Sequence, residues 1–346
     1  MNKIYECSRI VRFVFYLCLN ITIFPLTIIY LSRYRFIRLI DSRIGHLTIN
    51  TEIFLKKYRI NKFKYIAIAS NKPCNKQLLK MFKQELKILQ IPSFIFNNNL
   101  FRALSSNKCI LPYNELYYNI EEYRDVTDRT NIKFTEEENE KAKEKLKKMG
   151  VDSWFVCFSC RDKVYVKNNK HDYRNSDINT YRKAMEYVVS KGGYAIRMGA
   201  KVEKKIKESS GIIDYASNYY DEFMDIWLIK NCKVFVGDTN GLFCLAYIFD
   251  KYLVITNFIP MTDVFNLNYN KNIIIPKKVF DGKKEITYIN ILYDSKEYKD
   301  RNLKIIDNTE DEIYDSVKKM LRQNKNEKEN KNNKISKDKK IFKRTC

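Results

Sequence analysis

Residues able to do polar chemistry gather at a few strand-to-loop junctions of this chain. Two lie far apart: Arg43-Ile44-Gly45-His46, and Phe158-Ser159-Cys160-Arg161-Asp162-Lys163-Val164-Tyr165. In a two-domain α/β protein, such junctions, one from each half, hold a ligand across the cleft. Two more follow expected strands, Ile196 running into Arg197 and Gly199, and Val236 into Gly237-Asp238-Thr239-Asn240-Gly241. The last opens a helix, so its backbone N–H groups and dipole offer an anion site, with Thr239 and Asn240 as added donors. Guanidinium forks match phosphate oxygens and stay charged at any working pH, so Arg161 and Arg197 beside that helix suit a diphosphate. There is no G-x-x-x-x-G-K-[ST] and no G-x-G-x-x-G after a strand. That argues against ATP hydrolysis and against a dinucleotide cofactor.

A proton acceptor is the other requirement of transfer chemistry. The chain has two histidines, His46 and His171, both in expected loops next to these motifs. His46 follows Gly45, where backbone can approach a ligand closely, and a neutral imidazole can act as base. Asp41 and Asp162 compete for that role, and Arg43 and Gly45 complete the acceptor-side loop. Each site has a plainer alternative. Arg161 could pair with Asp162, residues 237–241 could be an ordinary turn and cap, and His46 could be a packing residue.

The elements that position these residues read as strand and helix in turn. Strand Tyr65–Ala69, helix Lys76–Leu89 with Leu78, Leu79, Phe82, Leu86 and Leu89 at helical spacing, and a helix-like stretch at 51–57 form the first half. Residues 91–134 read as irregular. A charged helix opens at Thr135 with acids in its first turn and lysines in its last. Then come strand Trp154–Phe158, helix Asp177–Ser190, strand Tyr194–Arg197, helix Asp221–Lys230, strand Val234–Val236, helix Leu242–Phe249, strand Tyr252–Thr256, and a last helix ending at Leu321. Such alternation implies parallel sheets covered on both faces.

The ends differ in kind from the middle. Of the net charge of +23, residues 1–64 carry +9 and residues 322–346 carry +7, leaving +7 for 65–321. A nucleic-acid module would place its basic density on the folded part, so nucleic acid is disfavoured and an anionic membrane surface preferred. Phe13 to Leu31 is an uncharged run of nineteen residues flanked by arginines, at the lower limit of a span and equally suited to half-embedding. No small-x-small cleavage site follows it. The expectation is a membrane-associated segment over 1–35, a first domain over 36–134, a second over 135–321, and a disordered Lys/Asn-rich tail over 322–346. Nine cysteines without a framework suit a reducing cytoplasm, and Cys157-x-x-Cys160 reads as partly buried thiols, not a metal site.

Together these stretches resemble a family of bacterial glycosyltransferases found among cell-surface polysaccharide genes and distantly similar to fucosyltransferases of the GT-B class. The likeness runs over about residues 36–321, through Ser42 to Leu47, Cys160-Arg161-Asp162 with Tyr165, Tyr173 to Ile178, Gly192 to Gly199, Ile213-Asp214-Tyr215, Gly237 to Leu242, Thr256-Asn257 and Asp307-Asn308-Thr309. It implies a GT-B fold, two Rossmann-like domains facing a cleft, with a nucleotide-diphosphate sugar held mainly by the second. Arg161 matches the arginine that an H-x-R motif of the similar fucosyltransferases turns on the donor diphosphate. Ser159 stands at that motif's histidine and Asn240 at the usual serine before Gly241. Such enzymes need neither a bound metal nor another cofactor, in agreement with the lack of a clear D-x-D.

The expected function is therefore sugar transfer to a surface glycan or lipid-linked acceptor at the cytoplasmic face of the inner membrane. Its donor residues would be Arg161, Tyr165, Arg197, Gly237, Thr239, Asn240 and Gly241. The alternative is a GT-B scaffold that tethers glycan or nucleic acid without turnover.

Overall fold

A computed structural model describes residues 35–58, 65–97, 110–111, 130–164, 169–259, 271–286 and 303–325. The apolar run Phe13–Leu31, Tyr165 and the chain beyond 325 lie outside the described residues. Among those described, no helix is long and apolar enough to cross a membrane.

The first half contains β1 (Arg35–Arg38), α1 (Ile44–Lys57), β2 (Tyr65–Ser70), α2 (Lys76–Phe82), β3 (Ile88–Ile91), the short α3 (Ser93–Phe96) and β4 (Ile110–Leu111). Its four strands pair in parallel in the order β3-β2-β1-β4. Two expectations change here. The helix expected over Lys76–Leu89 stops at Phe82, and Ile88 pairs with Ala67 instead. A helical spacing of Leu86 and Leu89 cannot outweigh the row of backbone groups that β2 offers at its edge.

The second change concerns the acceptor-side loop. Helix α1 begins at Ile44, so Gly45 and His46 sit in its first turn, not in a loop. Nothing local announces that start: no side chain caps it and no acid lies in its first turn. Its residues Leu47 through Leu55 are all buried, as a helix packed on both sides must be.

The second half contains α4 (Glu136–Lys148), β5 (Phe155–Ser159), two 3-10 turns (Asn169–Arg174 and Ile178–Tyr181), α5 (Arg182–Ser190), β6 (Tyr194–Arg197), β7 (Ile212–Ile213) and α6 (Tyr215–Asn218). It continues with α7 (Glu222–Asn231), β8 (Val234–Gly237), α8 (Gly241–Ile248), β9 (Tyr252–Phe258) and β10 (Asn272–Pro276). Helix α4 starts on a capping box, with Thr135 Oγ1 accepting from the Glu138 N–H and the Glu138 carboxylate accepting from the Thr135 N–H. The six strands are parallel in the order β10-β9-β8-β5-β6-β7. Numbered within this half, that is 6-5-4-1-2-3, the doubly wound order whose direction reverses between its first and fourth strands.

A small antiparallel sheet of β11 (Lys278–Asp281), β12 (Lys284–Glu285) and β13 (Lys304–Ile306) follows. A helix over 310–325, α9, then returns along the second sheet, where Ile313, Val317 and Met320 pack with Val156, Tyr181 and Val234. It passes the boundary expected at 321, with Asn324 buried at its end. One apolar core runs through both halves, joining Ile37, Leu47 and Phe54 to Phe235, Leu242 and Phe243.

Candidate active site

The reversal point of the second sheet lies between the ends of β5 and β8, where Ser159 leads into Arg161 and Gly237 into Asp238. Gly237 lets these ends approach, because a Cβ there would run into the Ser159 carbonyl oxygen. Asp238 is buried beneath them. Its carboxylate accepts from the Arg161 N–H (2.6 Å), Ser176 Oγ (3.1 Å) and Asn240 Nδ2 (2.7 Å), tying three segments together. Burial raises its pKa, and these donors, with the Arg174 charge, pull the other way.

Asn240 is fully engaged. Its Nδ2 donates to Ser159 Oγ (3.0 Å) and to Asp238, while its Oδ1 accepts from the N–H groups of Leu242 (2.9 Å) and Phe243 (3.3 Å). That is the whole capacity of a carboxamide, so Asn240 caps α8 and has nothing left for a ligand. Ser159 and Asn240, the two positions at which the sequence differs from the pattern it was expected to resemble, bond to each other. Thr239 is likewise turned inward, its oxygens accepting from Arg174 Nη2 at 2.6 and 3.1 Å and its hydroxyl donating to the Ile259 carbonyl. The donor roles expected of Thr239 and Asn240 side chains thus give way to positioning roles.

The amino terminus of α1 meets that of α8 at this point. A Cβ on Gly45 would lie 3.1 Å from the Gly241 Cα, and one on Gly241 would lie 2.5 Å from Ile44 Cγ2 and 3.1 Å from the Gly45 N. Two glycines therefore let two helix termini, one from each half, pack backbone to backbone. The α8 end is capped by Asn240, whereas α1 follows Arg43 with no side-chain cap. The positive end of α1 is thus left without a side-chain cap where it meets α8, close to the basic groups whose charges act on His46.

These groups are Arg43, Arg161, Arg174 and His46. Burial chiefly, then the charges of Arg43 and Arg174, pushes the imidazole of His46 down to about 4, so it is neutral at physiological pH. Burial also lowers the pKa of Arg161, with Arg174 and Arg43 acting in the same direction and Asp238 against them. Arg161 Nε is buried without a hydrogen-bond partner. The lowering of both His46 and Arg161 by neighbouring guanidinium charges marks a concentration of positive charge that one buried carboxylate does not balance.

Three expected site residues are placed elsewhere. Asp41 is buried, with Oδ2 accepting from the Ser70 N–H (2.6 Å) and its carbonyl from the Cys74 N–H (2.7 Å), so it ties the end of β1 to the end of β2. Asp162 braces its own loop, accepting from the N–H groups of Val164 (3.1 Å) and Glu203 (2.8 Å). Arg197 is 2 % exposed and turned into the core, bonded to Asp214 (2.9 Å) and the Lys204 carbonyl (3.0 Å). Its guanidinium cannot leave without stranding a buried carboxylate. Cys157 is a buried thiol and Cys160 a partly buried one.

Arg174 and Ser176, within Tyr173 to Ile178, join the site without having been expected there from sequence. No strand leads to them, so a rule based on strand ends misses them. Two further pairs among the stretches named above also meet in space. Asn257 and Asn308 exchange bonds, each side-chain oxygen accepting from the other's N–H at 2.5 and 2.7 Å, and Arg197 meets Asp214. The side chain of His171 and all of Tyr165 lie outside the described residues.

No family model and no curated protein matches this sequence. Solved structures do. ADP-heptose LPS heptosyltransferase II of E. coli is similar with a TM-score of 0.52 at 12% identity, over 84% of this chain and 99% of that one. A glycosyl transferase of family 9 from Veillonella parvula is similar with a TM-score of 0.55 at 12% identity, over 84% of this chain and 98% of that one. The likeness to fucosyltransferases remains an expectation from sequence. This chain, with its two parallel α/β sheets, shares its overall fold with these glycosyltransferases.

Proposed function

We propose that the protein is a glycosyltransferase that takes a sugar from a nucleotide-diphosphate donor and places it on a surface glycan or lipid-linked acceptor. The observation that carries this reading is the basic cluster of Arg43, Arg161 and Arg174 around a neutral His46, at the point where two helix amino termini converge. A diphosphate leaving group gains charge as the glycosidic bond to it breaks, and fixed guanidinium groups in a cleft meet that charge without reorganising. Arg161 supplies the direct contact. Arg174, bonded to Thr239, holds the loop and adds its field. The uncapped end of α1 brings N–H groups to the same region.

His46 takes the proton from the acceptor hydroxyl. Its low pKa in the free protein keeps it unprotonated, and a bound diphosphate, being anionic, raises its basicity when a base is required. The arginines do the work of counter-charge, so the reaction proceeds without a resident cofactor. The setting is the cytoplasmic face of the inner membrane, in keeping with the apolar run at 13–31.

Thermal unfolding of the full chain with ADP, UDP, GDP, CMP and dTDP tests the reading. ADP comes first because the E. coli neighbour is named for ADP-heptose. One nucleotide at a hundred times its dissociation constant should stabilise the fold by about 2.7 kcal/mol. Arg161→Ala should abolish that gain while remaining folded. If no nucleotide stabilises the folded protein, the donor site is disproved and the tethering scaffold is the better account.

A further inference from the structure

Three consecutive residues, Arg174, Asn175 and Ser176, cross the carboxyl edge of the second sheet, and each is bonded to the end of a different strand. Arg174 Nη2 donates to the carbonyl and hydroxyl oxygens of Thr239, beyond β8, at 2.6 and 3.1 Å. The Ser176 N–H donates to the Arg161 carbonyl, beyond β5, at 3.0 Å, and its hydroxyl to Asp238 at 3.1 Å. Between them, the Asn175 carbonyl accepts from Lys277 Nζ at 2.6 Å, and Lys277 directly follows β10. Strand β10 is an edge strand, three places from β5 and so about 14 Å away. A long side chain is what that gap requires.

Lys277 is the one buried lysine among the described residues, with a side chain only 2 % exposed. Taking an ammonium out of water is costly, so its placement calls for a reason. Its carboxylate partner is Asp307, at 2.7 Å, which follows β13. Joining β11 to β13 does not need that pair, because Lys278 already faces Ile306 in the antiparallel ladder beside it. The main chain at this point is fixed without the lysine side chain as well. The Lys277 N–H donates to the Phe258 carbonyl (3.3 Å), and Asn308 Nδ2 donates to the Pro276 carbonyl (2.8 Å). What the side chain adds is the long-range hold on Asn175, and the clamped main chain makes it a fixed post.

The segment it holds is under electrostatic load. The charge of Arg174 acts on Arg161 and on His46, so the two guanidinium groups repel each other across the strand ends. Like charges stay together only where the backbone that carries them is pinned. Asp307 offsets the charge of Lys277, so the post itself adds little to that repulsion.

We infer that Lys277 is a positioning residue of the donor site: by gripping the Asn175 carbonyl it keeps Arg174 on Thr239 and Ser176 on the Arg161 loop, and so fixes where both guanidinium groups stand. It touches no ligand and acts through Arg174 and Arg161. The consequence for nucleotide binding rests on the proposed transfer reaction, whereas the hold on residues 174–176 does not.

The test is amide hydrogen exchange on the full chain, wild type against Lys277→Met, which keeps the length of the side chain and removes its donors. Exchange at the Arg161 and Ser176 amides should speed up at least about tenfold more than at Val156 and Phe235 in the adjoining strands. Lys277→Gln, polar toward Asp307 but one bond too short for Asn175, carries the same test should the methionine variant not fold. Lys277→Met should also weaken the binding of the stabilising nucleotide about tenfold in the wild-type background, and little further in an Arg174→Ala background, because the arginine it positions has gone. A lysine that merely braced the small sheet would lower the urea midpoint and leave both amides as in wild type, and that result overturns the proposal. Acceleration spread evenly over β5 and β8 overturns it as well, as do equal losses of nucleotide binding in the two backgrounds. If wild type binds no nucleotide, the donor site fails, and exchange at Arg161 and Ser176 still decides whether Lys277 holds the segment.

Discussion

Gly241→Ala is the most direct probe of how the site is built. An added Cβ would lie 2.5 Å from Ile44 Cγ2, where ordinary carbon contacts begin near 3.5 Å, so the two helix ends must separate by about 1 Å. Forcing a methyl into a packed contact costs typically about 1–3 kcal/mol, and the replacement of glycine by alanine in a helix returns up to about 1 kcal/mol. The net expectation is a loss of about 1–2 kcal/mol. Urea unfolding of four proteins, wild type, Gly241→Ala, Ile44→Ala and the double variant, measures it. Ile44→Ala deletes the atom that is struck, so the penalty of Gly241→Ala should shrink in that background, leaving a coupling of about 1 kcal/mol. The Gly45 N remains at 3.1 Å, which is why recovery is only partial. A Gly241→Ala variant within about 0.5 kcal/mol of wild type, or an equal penalty in both backgrounds, would refute the backbone-to-backbone junction. With it would go the reason for both helix ends to face one cleft.

Two further predictions concern titration. Asp225 is buried on α7, and desolvation lifts its pKa from 3.8 to about 8 against a hydrogen bond from Tyr215. The unfolded chain ionises first, so stability is full below about pH 4 and declines as pH rises toward 8, by up to about 1.4 kcal/mol per pH unit. Asp225→Asn should remove that slope in urea midpoints taken at pH 5 and pH 8; an identical slope in the variant would assign the effect to another group. His46, held near 4, should keep a free enzyme active down to about pH 5, with kcat/KM falling as pH drops through 4 and the base protonates. If His46→Ala retains more than about a tenth of the rate, the base lies elsewhere.

Much of the architecture was legible because it is local. Thr135 and Glu138 form the capping box that their spacing foretells, the helix expected from Asp221 starts there with Asp221 as its cap, and Tyr194–Arg197 is the strand expected. Hydrogen-bonding reach along one turn and burial along one strand face are properties of adjacent residues, and sequence carries them in full. The convergence of the Arg161 loop, Gly241 and His46 was also foreseeable, since strand ends in parallel sheets lie on one edge.

What tertiary structure alone decided is the use of each charged group. Arg161 and Arg197 look alike in sequence, both following a strand, yet Arg161 borders the cleft while Arg197 answers a carboxylate seventeen residues on. Asp41 and Asp162 look like bases and serve as braces, and Arg174, which no strand precedes, joins the site. Helix α1 starts at Ile44 because Gly241 of the other half receives it, not because any residue nearby caps it. The type and spacing of residues determine which groups can bond over short range. Which partner a long side chain finds, and whether it remains for a ligand, depends on groups brought near by folding, and those distances are not written in the order of the chain.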